Sequence, residues 1–154
     1  MQSMIKSVLD FLPDHDTNSD IVILGQCPST KVTPSKNGTF VRLKRWMDEV
    51  GEPAWAFHNV IPHIVNSYRM KDVDAVALTD AIYRKRVIIA LGGFVSRVLK
   101  GYGILHIKID HPSPRNRNLN SSEYEERMLI GLLHEIRLHR QIKTFIYDNY
   151  NRVL

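Results

Sequence analysis

The chain has 154 residues, enough for one domain with a real core and too few for two of ordinary size. A hydrophobic content of 44% with 24% charged residues excludes a disordered chain, and one cysteine excludes an internal disulfide or a four-cysteine metal or iron–sulfur cluster. The net charge of +5 fits an anionic partner, although a merely basic soluble protein fits it equally well.

From the N-terminus, Met4-Ile5, Val8-Leu9 and Phe11-Leu12 recur at helical spacing until Pro13 ends the pattern. A polar linker over 14–20 leads to Ile21-Val22-Ile23-Leu24, an apolar run of the buried parallel-strand type. That strand runs into Gly25-Gln26-Cys27-Pro28-Ser29-Thr30, and the Pro, Ser, Asn and Gly within 31–38 predict a flexible loop. Phe40, Leu43, Trp46, Met47 and Val50 then share one helical face, with Gly51 placed to stop the helix. A second strand is predicted at Trp55-Ala56-Phe57, ending at His58-Asn59.

Residues 60–71, with Pro62 and many polar side chains, predict irregular chain, and a helix over 73–85 carries Val73, Val76, Ala77 and Ile82. Val87-Ile88-Ile89-Ala90-Leu91 reads as a central strand, and Gly92-Gly93 turns it into a helix holding Phe94, Val95, Val98 and Leu99. Alternation over 104–109 predicts a fourth strand, which the two prolines of His111-Pro112-Ser113-Pro114-Arg115-Asn116 end and stiffen. A long helix over 121–141 closes the pattern, capped by Ser121 or Ser122 and striped by Met128, Leu129, Leu132, Leu133 and Ile136. Strands alternating with helices predict an α/β fold: one domain over 1–154, a three-layer α/β/α sandwich on a central four-stranded parallel sheet.

Two of these strands, one early and one late, end in Pro-containing polar loops at the sheet edge where α/β proteins bind ligands. Gly25-Gln26-Cys27-Pro28-Ser29 and His111-Pro112-Ser113-Pro114-Arg115-Asn116 resemble the two active-site motifs of the uracil-DNA glycosylase superfamily. The second motif is most similar to that of the single-strand-selective monofunctional branch. The resemblance implies base flipping, followed by hydrolysis of the N-glycosidic bond of uracil or a 5-modified uracil in DNA.

Residue by residue, the resemblance implies a catalytic set of His111, Cys27 and Gln26. His111 would donate an N–H to the pyrimidine O2 as charge develops on the leaving base, a service of ~3–4 kcal/mol. Base binding falls to Asn59, Phe40, Ser29 and Gly25. One amide at Asn59 offers both a donor and an acceptor, matching N3–H and O4 of uracil. A strand-end asparagine that satisfies a turn is the ordinary alternative, as a core side chain is for Phe40. Arg115 falls at the family's wedge position. Ser113, Pro114, Asn116, Arg117, Lys31 and Lys36 complete the expected DNA-binding set, with solvated loop charge the simpler reading of each basic residue alone.

Cys27 departs from the family pattern, which has Asp or Asn there to orient water. A thiol with a reference pKa of about 8.5 is mostly neutral at pH 7 and a poor water ligand. Ser29 leaves room for a 5-substituent that a bulkier residue would exclude. His134 and His139 resemble a zinc-protease pair, but their spacing of five places them on different helix faces, so no metal site is expected. A Cys27 thiol paired with His111 for nucleophilic transfer is a further possibility.

The expected protein is therefore a monomeric DNA glycosylase acting on single- or double-stranded DNA, without cofactor or metal. The alternatives are a catalytically silent DNA- or nucleotide-binding module of the same fold, or another enzyme of that fold acting on a modified pyrimidine nucleotide. No apolar run reaches the ~18 residues of a membrane helix and no signal-peptide pattern opens the chain, so a cytoplasmic protein is expected, or a nuclear one in a eukaryote.

Overall fold

A computed structural model describes residues 17–28 and 38–153. The N-terminal helical pattern and the loop carrying Ser29, Lys31 and Lys36 lie outside the described residues.

Four strands, β1 (Ile21–Gly25), β2 (Ala56–Asn59), β3 (Val87–Leu91) and β4 (Ile107–Ile109), pair in the order β2-β1-β3-β4, all parallel. Four helices alternate with them: α1 (Gly38–Glu49), α2 (Ala75–Ile82), α3 (Gly92–Gly101) and α4 (Ser122–Val153). The uninterrupted apolar runs of β1 and β3 occupy the two central positions because they must bury both faces.

The period-two alternation of β1 sorts its side chains into two cores. Ile21 and Ile23 pack with Phe40, Leu43, Trp46 and Met47 of α1 and with Leu129, Leu132 and Ile136 of α4. Val22 and Leu24 pack on the other face with Leu78 of α2 and Phe94, Val95, Val98 and Leu99 of α3. Two helices on each face of one sheet make three layers, as the alternation of elements predicts. At ~1.5–3 kcal/mol for each fully buried large aliphatic or aromatic side chain, these clusters supply the main force that holds the layers together.

Several boundaries differ from the sequence reading. The helix expected over 73–85 begins only at Ala75, because the Asp74 carboxylate caps it by accepting the Ala77 N–H at 3.0 Å. It stops at Ile82, ahead of Arg84, which has φ +59°. β4 begins only at Ile107, later than the alternating run, and His106 just ahead of it makes side-chain bonds of its own. Its Nδ1–H donates to the Ile104 carbonyl (2.8 Å), leaving Nε2 to accept the Ser96 hydroxyl (2.8 Å). α4 runs on to Val153 rather than ending near 141. Its Ser121 cap holds as expected, with Ser121 Oγ accepting the Tyr124 N–H at 3.3 Å.

Arg140 of α4 holds the far end of the sheet together. Its guanidinium donates to both carboxylate oxygens of Asp20 at 2.9 and 3.0 Å and to the Glu52 carboxylate. A planar fork between two carboxylates is the geometry arginine suits best. The hydrogen bond from Arg140 holds the Asp20 carboxyl below its usual range against the opposing effect of burial.

Candidate functional site

All four strands point their carboxyl ends toward one cavity of about 270 Å³. Gly25, Gln26, Cys27 and Pro28 reach it from the end of β1, Asn59 from β2, Leu91 from β3, and His111, Ser113 and Arg115 from the loop after β4. Thr39 and Phe40 close it from the first turn of α1, and Tyr68 from the segment after β2.

Gly25 is required by close approach. A Cβ at that position would lie 2.7 Å from Asn59 Oδ1 and 2.7 Å from Phe57 Cζ, so the amide and the ring sit where a side chain would be. The pairing of β1 with β2 continues past the strands, as Val60 N–H donates to the Gly25 carbonyl (3.0 Å) and Ile61 N–H to that of Gln26 (2.9 Å). The first loop and Asn59 are thus held by one ladder. Asn59 lines the cavity, and among the described residues no hydrogen bond engages its amide. Phe57 and Phe40 meet edge to face with centroids 5.1 Å apart, so Phe40 is at once a core side chain and a cavity wall.

The second loop is fixed from several sides. Gly38, at the start of α1, packs so closely on Pro114 that a Cβ there would fall 2.7 Å from its Cγ. Arg42 of α1 donates to the Ser113 carbonyl at 3.3 Å. Within the loop, Asn116 N–H donates to the Ser113 carbonyl (3.0 Å) and Arg115 N–H to Ser113 Oγ (3.2 Å). Gly92, at φ +86°, lets the end of β3 turn directly beneath His111, whose Cβ would lie 3.5 Å from a Cβ at residue 92. Burial lowers the His111 pKa, so its imidazole is neutral at pH 7 and carries an N–H donor.

The other expected site residues fall into three groups. Cys27 is half-buried and lines the cavity beside Gln26. Pro114 packs on α1, and Asn116 bonds inward to Asp110, so both shape the loop from behind the cavity wall. Arg117 lies in a 3₁₀ turn (Arg117–Asn120) and does not line the cavity. Ser29, Lys31 and Lys36 fall outside the described residues.

Tyr68, Thr39, Phe57 and Leu91 line the cavity and escape the sequence reading of the site. Phe57 and Leu91 could have been found from their places at strand ends. Tyr68 carries no such signal, because it lies in irregular chain. Its ring rests against Phe94 with centroids 5.5 Å apart, and burial raises its phenol pKa, with the nearby Cys27 adding to the effect.

Among the described residues, no three His, Cys, Asp or Glu side chains gather as metal ligands, and no helix is long and apolar enough to cross a membrane. The fold and cavity together define an α/β protein with a mixed polar and aromatic pocket at the carboxyl edge of a parallel sheet. No protein-family model matches the sequence, and no curated protein matches it either.

Proposed function

We propose that the chain is a monofunctional DNA glycosylase that hydrolyses the N-glycosidic bond of uracil or a 5-modified uracil. The observation that carries this reading is the convergence of an amide without a hydrogen-bond partner among the described residues (Asn59), a neutral half-buried imidazole (His111) and an aromatic wall (Phe40) on one cavity. A flipped pyrimidine needs those three things: its edge read, its face packed and its developing charge met. In this reading the C1′–N1 bond breaks with its electron pair leaving on the base. The anion so formed accepts a hydrogen bond from the His111 N–H at O2, and water forms the new C1′–O bond, its proton passing through solvent to the departing base. A neutral imidazole still carries one N–H, which it can donate to O2 as a hydrogen bond while keeping its proton. Arg115, at the mouth, is the wedge for the gap in the stack.

The test is incubation with single- and double-stranded oligonucleotides carrying uracil and 5-substituted uracils, followed by alkaline cleavage. His111→Ala should slow excision about 10²–10³-fold. Near-full activity in that variant would remove His111 from the mechanism.

One observation favours a second reading, a binding module that keeps the pocket without turnover. Cys27 stands at the cavity where a water-holding carboxylate or amide is expected, and a thiol holds water poorly. Tight binding to a pyrimidine-bearing or abasic oligonucleotide, without cleavage of any substrate in the panel, would establish that reading.

A further inference from the structure

The His111 ring lacks the support that functional histidines usually have. Such rings are commonly aimed by a carboxylate or carbonyl on the second nitrogen. Among the described residues no hydrogen bond reaches either nitrogen of His111, so its aim is set through its backbone. That backbone is held by an unusual arrangement one residue upstream. Asp110 Oδ2 accepts the Tyr124 hydroxyl at 2.8 Å and the Asn116 amide at 3.0 Å, and the same amide nitrogen lies 3.5 Å from the His111 carbonyl. Asn116 Oδ1 accepts the Asn118 N–H at 3.2 Å, which fixes the amide's own orientation. The start of the loop, its end and the first turn of α4 therefore meet on one carboxylate oxygen.

We infer that Asp110, Asn116 and Tyr124 form a positioning clamp that aims the His111 imidazole into the cavity from behind the loop. Asp110 is the hub, and Tyr124 ties it to α4, which is anchored in the core through Leu129, Leu132 and Ile136. Because both donors to Asp110 are neutral and the ring makes no bond to it, the carboxylate acts on backbone placement and not on imidazole charge. The functional part of this inference rests on the glycosylase reading, while its geometric part does not.

The clamp is tested with Tyr124→Phe, which keeps the ring and loses only the hydroxyl, together with Asn116→Ala, Asp110→Ala and Asp110→Asn. Three quantities are read: the single-turnover excision rate, the affinity for an abasic-site oligonucleotide, and the imidazole nitrogen resonances of His111 by NMR. Tyr124→Phe and Asn116→Ala should each slow excision on the order of 10- to 100-fold, as small misplacements of a reacting group do, with affinity changed less than about twofold. Both should shift the His111 resonances, and the double variant should fall short of the product of the two, since the groups share one acceptor. Asp110→Asn should restore most of what Asp110→Ala loses, because an amide oxygen can accept both bonds.

Unchanged His111 resonances in Tyr124→Phe would overturn the clamp. So would an Asp110→Asn variant as impaired as Asp110→Ala, which would assign the carboxylate an electrostatic role. Weaker DNA binding with an unchanged rate would equally refute it and make these residues part of the DNA surface. If the wild-type protein excises no base, the glycosylase reading fails by itself, and the resonances still decide whether the clamp aims His111.

Discussion

Gly25→Ala is the most demanding single test of the pocket, because it puts a methyl group where Asn59 and Phe57 already close on the backbone. The new Cβ would stand 2.7 Å from both Asn59 Oδ1 and Phe57 Cζ, where ordinary contact begins at 3.4 Å, so each neighbour must give by about 0.7 Å. Phe57 cannot retreat easily, since its ring is buried and set edge-on against Phe40. The Asn59 side chain faces the cavity and gives way first. Overpacking of this kind costs ~1–3 kcal/mol, or about 3–10 °C in Tm for a chain of this size. Under the proposed glycosylase function, a displacement approaching 1 Å at the Asn59 amide should slow uracil excision on the order of 10²-fold. Thermal unfolding and single-turnover excision, measured on the same preparations, provide the readout. Gly25→Ala combined with Phe57→Leu should recover stability without recovering base preference, because the amide stays displaced. A Gly25→Ala protein with wild-type Tm and wild-type discrimination would refute the close approach and the role given to Asn59.

Under the same proposed function, Asn59→Asp replaces the amide donor by an acceptor, so uracil excision should collapse and any residual activity should shift toward cytosine; an unchanged base preference would contradict the pocket assignment. Cys27→Asp should raise the single-turnover rate, and more than Cys27→Asn does, because a carboxylate holds water and also favours the cationic sugar. Loss of activity in Cys27→Ser would instead point to the thiol as nucleophile. At the opposite end of the sheet, Arg140→Met should cost on the order of 1 kcal/mol, since the ion pairs it removes are partly exposed. Asp20 has a folded pKa below its ordinary 3.8, so its contribution is full above that value and lost as pH falls through the folded one. Wild type should therefore lose stability below about pH 4 more steeply than Arg140→Met, as seen by denaturant unfolding across that range.

The parts of this fold that were legible in sequence are those governed by local pattern. β3 is bounded where its apolar run predicts, and β1 extends only one residue past its run, because a doubly buried strand tolerates no polar interruption. α1 and the Gly51 stop were readable from one periodic face and a residue suited to φ +79°. What stayed hidden depends on partners distant in the chain. Nothing near Arg140 reveals that its carboxylates lie 88 and 120 residues away. His106, just ahead of β4, bonds to Ser96 of α3, a partner that alternation cannot show. The two loop motifs identified the strand ends that build the cavity, but not Tyr68, whose place depends on packing against Phe94. Asn116 and Pro114 are expected from sequence only as part of the DNA-binding set, and their contacts with Asp110 and with Gly38 of α1, which shape the loop, depend on partners that the motif does not show.

The strand order has a dynamic consequence. Asn59 belongs to one edge strand and His111 follows the other, while the two best-secured strands lie between them. With strands spaced ~4.8 Å apart, the cavity's two most specific groups stand on opposite margins of a sheet about 14 Å across. Edge strands open at a lower free energy than the centre, and β4 has only three residues in register. Either margin can therefore fray and dissolve the site while β1, β3 and their helices stay folded. A molecule that touches Asn59 and His111 together acts as a lateral staple on the sheet. Its occupancy should slow amide exchange at both margins at once while leaving the already protected centre unchanged.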